Sequence, residues 1–197
     1  MTGKREQTRR ELTERLLQAA EELIEVDGLE GTTARTVTQR AQCGLGTLYK
    51  CYADLDDLII HVNSRTLKKL GAELAASTEG FSDPVEQLQA LALSYIHFAE
   101  QNHTLWTALF EHNATSSEPI PKWHEQENTA LLTYIAKPVM GLEPELKDEA
   151  LAARSRTYFA AIHGLVVISL QGRFVGLSPD VLRSETKLLV SRMAQPK

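Results

Sequence analysis

Apolar residues recur at steps of three and four along almost the whole chain, and no segment shows a convincing strand-like alternation. That spacing puts an apolar stripe on one side of a helix and cannot line one face of a pleated sheet. The chain is therefore expected to be all-α. Leu12, Leu16, Ala19, Ala20, Leu23 and Ile24 form the first stripe, which predicts a helix over about 6–27. Asp27-Gly28 is a stop signal, because glycine takes the left-handed position after a helix cheaply. Thr32 or Thr33 then suits the N-cap of a short helix over about 34–41. A tight break at Gln42–Gly44 precedes a second short helix over about 45–51, and Ala53-Asp54 breaks again before a long helix over about 55–76.

Ser82-Asp83-Pro84 starts the next helix, expected to reach Gln101, and a short helix follows over about 103–113. Pro121 opens a segment expected to end at Pro138 and Gly141. Pro144 opens one over about 144–173, and Ser178-Pro179-Asp180 one over about 179–194. The order is four helices, then five. This predicts a three-helix head over 1–54 and a helical body of effector binding and dimerisation over 55–197.

Two short helices joined by a glycine-containing turn, behind a helix with one apolar stripe, describe a helix-turn-helix. Val37 and Ala41 on the first short helix can meet Leu48 and Tyr52 on the second. Gly44 or Gly46 lets the backbone turn and come close to a phosphate. Leu45, Thr47, Tyr49 and Lys50 are then the outward residues; hydroxyls and a lysine suit phosphate contact, and Thr47 or Lys50 could touch base edges.

Charge alone does not argue for nucleic acid. The 197 residues carry 21 Lys and Arg against 26 Asp and Glu, a formal net charge of −5. The first fifteen residues are the exception, with Lys4, Arg5, Arg9, Arg10 and Arg15 against Glu6, Glu11 and Glu14.

Residues 12–58 resemble the DNA-binding domain of the TetR family of repressors. The resemblance rests on the Ala19-Ala20 pair, Gly28, Thr32-Thr33, Arg40-Ala41 and above all GTLYKCY at 46–52, close to the family's G-T-x-Y-x-(Y/H)-F. It implies that Thr33, Tyr49 and Lys50 lie against phosphates or the groove, with Leu45 and Gly46 at the same surface. It further implies that Arg35 reaches a base edge, a guanine for preference, and that Thr47 faces bases. Three positions depart from the family: Gln42 where glycine is usual, Gly44 where a hydroxyl residue is usual, and Leu55 where lysine is common. Asp54, Asp56 and Asp57 crowd the same spot and would repel phosphate, so binding is expected to be salt-sensitive.

The segment YFAAIHGLVVISLQGRF at 158–174 is apolar nearly all round and needs cover on both sides. A second copy of the chain is the simplest cover in a domain this small. Tyr158, Ile162, Gly164 and Val166, with Leu182, Leu189 and Met193 of the last helix, are the expected interface residues. The resemblance implies a homodimer through the last two helices, which would set two recognition helices one DNA turn apart on a palindromic operator. The His163-Gly164 pair resembles a subgroup of the family.

Aromatics crowd the middle of the chain. The resemblance implies a pocket there for a small-molecule effector, with Tyr95, Phe98, Trp106, Phe110, Trp123, Tyr134, Tyr158 and His163 as candidates; helical spacing also suits plain core. No metal or cofactor is expected. His124 opens an H-E-x-x-x pattern, but position 128 is Asn, so the zinc spacing fails, and Glu100-x-x-His103 occurs once where a di-iron bundle needs two. Cys43 and Cys51 lack metal spacing. No apolar run is long enough to span a membrane and the N-terminus is polar, so a cytoplasmic, non-enzymatic protein is expected. The alternative reading is a helical ligand sensor that has lost DNA binding and works through protein contacts.

Overall fold

The structure is a computed structural model that describes residues 2–112, 120–172 and 175–195. Among the described residues the chain is all-helical, with nine helices and no strand. In chain order these are α1 (Thr2–Gly31), α2 (Ala34–Arg40), α3 (Leu45–Cys51), α4 (Leu55–Ser77), α5 (Pro84–Gln101), α6 (His103–Glu111), α7 (Lys122–Leu142), α8 (Asp148–Leu170) and α9 (Pro179–Met193). No helix is long and apolar enough to cross a membrane.

The helices form two compact units. The first, the head, holds α1, α2, α3, α4 as far as Thr66, and the chain from Asn102 to His124 with α6. The second, the body, holds the rest of α4 from Leu67, then α5, most of α7, α8 and α9. The boundary expected after residue 54 therefore falls inside the head. The reason is packing: Leu58, Ile59 and Val62 of α4, with Leu105 and Ala108 of α6, share one core with Leu16, Ala20 and Ile24 of α1, Val37 of α2 and Leu48 of α3.

Three helix ends differ from the sequence expectation. Gly28 takes a φ of 69° and kinks α1, but helical bonding resumes to Gly31, where Thr32 donates its hydroxyl to the Gly28 carbonyl at 2.8 Å. Pro138 does not end α7. It removes one backbone donor, yet Pro138 and Val139 are both buried, and Gly141 passes so close to Pro84 that a Cβ would lie 2.9 Å from its ring. Gly141 thus serves close approach rather than termination. Pro144 lies before α8, which begins only at Asp148 after a turn closed by Leu146 N–H on the Glu143 carbonyl.

In the body, α5, α8 and α9 pack on one another. Gln89 of α5 donates to the Ser191 hydroxyl of α9 at 2.9 Å, and Arg183 of α9 pairs with Glu100 of α5. On α8, Ser155, Tyr158, Ile162 and Val166 point inward; on α9, Leu182, Thr186 and Val190 do.

Candidate nucleic-acid interface

The first short helix is set by a reciprocal cap. The Thr33 hydroxyl accepts the Thr36 N–H at 3.1 Å, and the Thr36 hydroxyl accepts the Thr33 N–H at 2.9 Å. At its other end the Ala41 N–H bonds the Val37 carbonyl, and Gln42 enters the left-handed region with φ 52°. A side chain with a Cβ is strained there, which explains why glycine is usual at this position of the family. Arg15 of α1 offsets that strain: its guanidinium donates to the Ala41 carbonyl and, at 3.3 Å, to the Gln42 carbonyl. The turn closes with Cys43 N–H on the Thr38 carbonyl at 2.9 Å.

α3 has two opposed faces. Leu48 is 0% exposed in the head core, while Leu45 and Tyr49 are 50% and 55% exposed. Gly46 and Lys50 are exposed beside them, and Thr47 is half-buried. Arg35 is exposed on the first turn of α2. So Leu45, Gly46, Tyr49 and Lys50 share one solvent-facing surface of the second helix. A leucine and a tyrosine left in water on a seven-residue helix do nothing for its packing, and such exposure marks a contact surface. Thr33 is exposed as well, but its hydroxyl already caps α2.

The end of α3 is anchored on two sides. Tyr52 is buried and donates its hydroxyl to the Thr13 carbonyl of α1 at 3.1 Å. Burial, and to a lesser extent the neighbouring Cys51 and Glu14, pushes its phenol well above the ordinary range, so it stays a donor. Its ring meets His61 edge-on at 5.4 Å, and His61 stacks on Trp123 at 4.9 Å. One turn further along the same face of α4, Arg65 bonds the buried Glu21 at 2.9 Å and Glu14 at 2.7 Å, fixing α4 to α1.

The carboxylates after α3 have local work. The Asp54 carboxylate caps α4 by accepting the Asp57 N–H at 2.8 Å, and the Asp57 carboxylate accepts the Ala53 N–H at 2.9 Å. Asp56 faces His112 of α6 at 3.4 Å. All three are half-buried. They are spent on caps and a hydrogen bond rather than presented to a phosphate.

The expected effector residues divide between the two units. Trp106, Phe110 and Trp123 belong to the head. There Trp106 is buried, with Phe110 edge-on to it at 5.4 Å, and Trp123 stacks on His61. Phe110 and Trp123 are exposed, at 45% and 36%. In the body, Phe98 is fully buried core, and Tyr134 lies half-buried against Gly71. Tyr95 and His163 come together: the Tyr95 hydroxyl lies 2.7 Å from His163 Nδ1, and the Phe159 ring stacks on the imidazole at 5.2 Å. The Tyr158 hydroxyl is buried and has no hydrogen-bond partner among the described residues, its phenol raised by burial and then by Glu143.

Burial holds His163 below its ordinary value of 6.5. The neutral ring, with Nδ1 accepting from Tyr95, is the form that fits. As pH falls below about 6.5 the unfolded chain takes up a proton at this residue that the folded chain resists, so folding stability drops with falling pH. We expect the melting temperature to fall between about pH 7 and pH 5, and to fall less in His163→Asn, which keeps an acceptor near Nδ1 but cannot titrate. Thermal melts at both pH values check this; an equal drop in both proteins would contradict it.

Of the expected dimer residues, Tyr158, Ile162, Val166 and Leu182 are buried within the chain's own body. The stripe through 155, 158, 162 and 166 is the inward face of α8, so these side chains are unavailable to a second copy. Gly164, Leu189 and Met193 are half-buried. A Cβ on Gly164 would meet nothing within 4 Å. The solvent-facing apolar side chains are Ile168 on α8 and Val181 and Leu188 on α9.

A short helix-turn-helix in a head carried on a helical body is the fold of a TetR-type transcription regulator. Residues 88–191 match the family described as Tetracyclin repressor-like, C-terminal domain. That span is more than half of the chain, and the chain belongs to the TetR family. No curated protein matches it in sequence. Among solved structures it is similar to a protein of unknown function from Rhodococcus sp. RHA1, at 20% identity and a TM-score of 0.74, over 93% of this chain and 96% of that one. A second Rhodococcus protein, a transcriptional regulator, matches at 20% identity and a TM-score of 0.68, over 92% and 95%. A TetR-family transcriptional regulator from Streptomyces coelicolor matches at 14% identity and a TM-score of 0.65, over 92% and 96%. At these identities the likeness is one of fold.

Proposed function

We propose that this chain is a cytoplasmic transcriptional repressor that binds a palindromic operator as a homodimer and is released by a small-molecule effector. The observation that carries the reading is the split character of α3, with Leu48 sealed in the core and Leu45 and Tyr49 offered to solvent on the same short helix. Arg35 reads a base edge, Thr47 faces the major groove, and Tyr49 and Lys50 hold phosphates. Thr33 contributes through the first turn of α2, whose N-terminus it caps. The chain works by binding and carries out no catalysis.

The effector is read by the body, where Tyr95 and His163 supply a polar pair among aromatic walls and Tyr158 a hydroxyl without a partner among the described residues. Tyr134 stands as the fourth wall residue. The dimer forms through the outward sides of α8 and α9, with Gly164, Ile168, Val181 and Leu188 at its centre and Leu189 and Met193 at its edge. The capping work of Asp54 and Asp57 weakens the alternative of a sensor that has lost DNA binding, because these acids do not stand guard over the α3 surface.

Fluorescence anisotropy with palindromic segments from upstream of the chain's own gene tests the reading. Specific binding is expected at low salt, and no segment binding better than random DNA would refute it. Arg35→Ala is expected to cost about 1–3 kcal/mol on the operator and much less on random DNA, relaxing base choice. Tyr49→Ala is expected to weaken both alike, as a lost phosphate contact does. Equal losses for Arg35→Ala on both DNAs would contradict its role.

A further inference from the structure

We propose that the upstream turns of α1 form a second contact to the DNA backbone, made by Arg9 and Arg10 beside the end of the recognition helix. The inference rests on the reading of the head as DNA-binding and extends it to a region outside the helix-turn-helix. α1 begins at Thr2, but its first core residue is Leu16, and residues 6–11 are exposed throughout. Those turns bury nothing in the head. They are held in helical form by their own side chains: Arg10 on Glu6 at 2.8 Å, Gln7 on Glu11 at 3.2 Å, and the Thr13 hydroxyl on the Arg9 carbonyl at 2.9 Å. A solvated helical extension is marginal by itself, and this one carries Arg9 and Arg10 into solvent.

Its placement sets both near the end of α3. The Tyr52 hydroxyl bonds the Thr13 carbonyl, so the end of α3 lies against α1 one turn below Arg9 and Arg10. Glu6, Arg9, Arg10, Thr13 and Glu14 line one shallow cleft of about 320 Å³, which places both arginines on the side of α1 that carries Thr13. Lys50, in the last turn of α3, is exposed. The two carboxylates of the cleft have cationic partners, Glu6 with Arg10 and Glu14 with Arg65. On a chain of net charge −5, Arg9 and Arg10 are two exposed guanidinium groups on the turn of α1 next to the one that holds the end of α3. Guanidinium forks match phosphate oxygens in pairs, and Arg10 can exchange its exposed Glu6 partner for a phosphate at little cost. The occupant is the sugar–phosphate backbone flanking the half-site, read without base specificity.

Because phosphate contact is sequence-independent, the probe is a labelled random-sequence duplex of about three helical turns, titrated over a series of NaCl concentrations. For the wild type, log K is expected to fall linearly with log [NaCl]; in the Arg9→Ala/Arg10→Ala variant the slope should shrink by about 2, with roughly tenfold or greater weakening at low salt. Arg9→Lys/Arg10→Lys should restore most of the slope, which a purely structural role in α1 would not predict. Circular dichroism should show at most a small loss of helix in the alanine variant, where the Arg10–Glu6 pair is gone, and none in the lysine variant, since neither side chain touches the core. If the wild type binds and Lys50→Ala lowers its slope while Arg9→Ala/Arg10→Ala leaves it intact, the arm is overturned and the DNA-binding reading survives. If the wild type binds no duplex, both fall together.

Discussion

Leu48→Ala is expected to destabilise the head by about 2–5 kcal/mol, the range for emptying a fully buried leucine site. Leu48 is 0% exposed and shares one core cluster with residues of three other helices, Leu16, Ala20 and Ile24 of α1, Val37 of α2 and Leu58 and Val62 of α4. A site bounded on so many sides collapses poorly, which places the loss toward the upper part of that range. Leu45→Ala, three residues away on the same helix, removes a side chain already half in water and should change stability by no more than about 0.5 kcal/mol. The contrast is the informative result, because it separates the face that folds the domain from the face offered to a partner. Both tryptophans of the chain, Trp106 and Trp123, lie in the head, so intrinsic fluorescence during urea denaturation reports this unit. Equal losses for the two variants would mean that Leu45 is packed and that α3 has no free surface.

The features legible in the sequence are those fixed by local spacing. The stripe through Leu16, Ala20 and Ile24 identified α1, and the two short helices followed from caps and a break only a few residues wide. Which side of α3 is buried followed too, since Val37 and Leu48 can meet only one way across so short a turn. What was not legible depends on partners far apart in the chain. Arg15 looks like one more cation in a basic lead-in, yet it caps α2 from 26 residues away. Arg65 gives no sign in sequence that it pairs with Glu14 and Glu21. Asp54, Asp56 and Asp57 read both as complement to the N-terminus of α4 and as charge repelling phosphate, and sequence alone could not say that Asp54 and Asp57 are taken up by backbone N–H groups. The division of the chain was misplaced for the same reason: α4 is one unbroken helix, and only packing shows that its first half belongs to the head.

The stripe on α8 shows a further limit. A helix apolar on every side does indicate cover on both faces, but it does not say which face meets the chain's own core. Tyr158, Ile162 and Val166 are the largest side chains of that helix at one spacing, and they went inward, where size is useful for filling the space against α5 and α9. The face left over is built of smaller groups, with Ala160, Gly164 and Val167 leading to Ile168.

That leftover face sets the last expected result: Ile168→Glu combined with Leu188→Glu should turn the proposed dimer into a monomer at micromolar concentration while leaving the fold intact. The two residues are 43% and 49% exposed in the single chain, so a carboxylate at either place stays hydrated and costs little in the monomer. In a dimer closed across α8 and α9 each charge would meet its own symmetry mate or an apolar wall, and removing it from water costs several kcal/mol per ion. Two such sites in each subunit exceed what an interface of ordinary size can spare. Phe81→Glu is the control, since Phe81 is 44% exposed in the body but lies in the α4–α5 connection, away from either helix. It should change neither assembly nor DNA binding. The consequence for DNA is large, because a monomer presents one recognition helix and forfeits the second, tethered contact, worth about 10²–10⁴ in affinity. Sedimentation velocity reads the assembly and anisotropy on a palindromic duplex reads the binding. A double variant that stays dimeric with unchanged affinity would place the interface elsewhere on the body, and one that becomes monomeric yet binds the palindrome as tightly would mean that a single head carries the recognition alone.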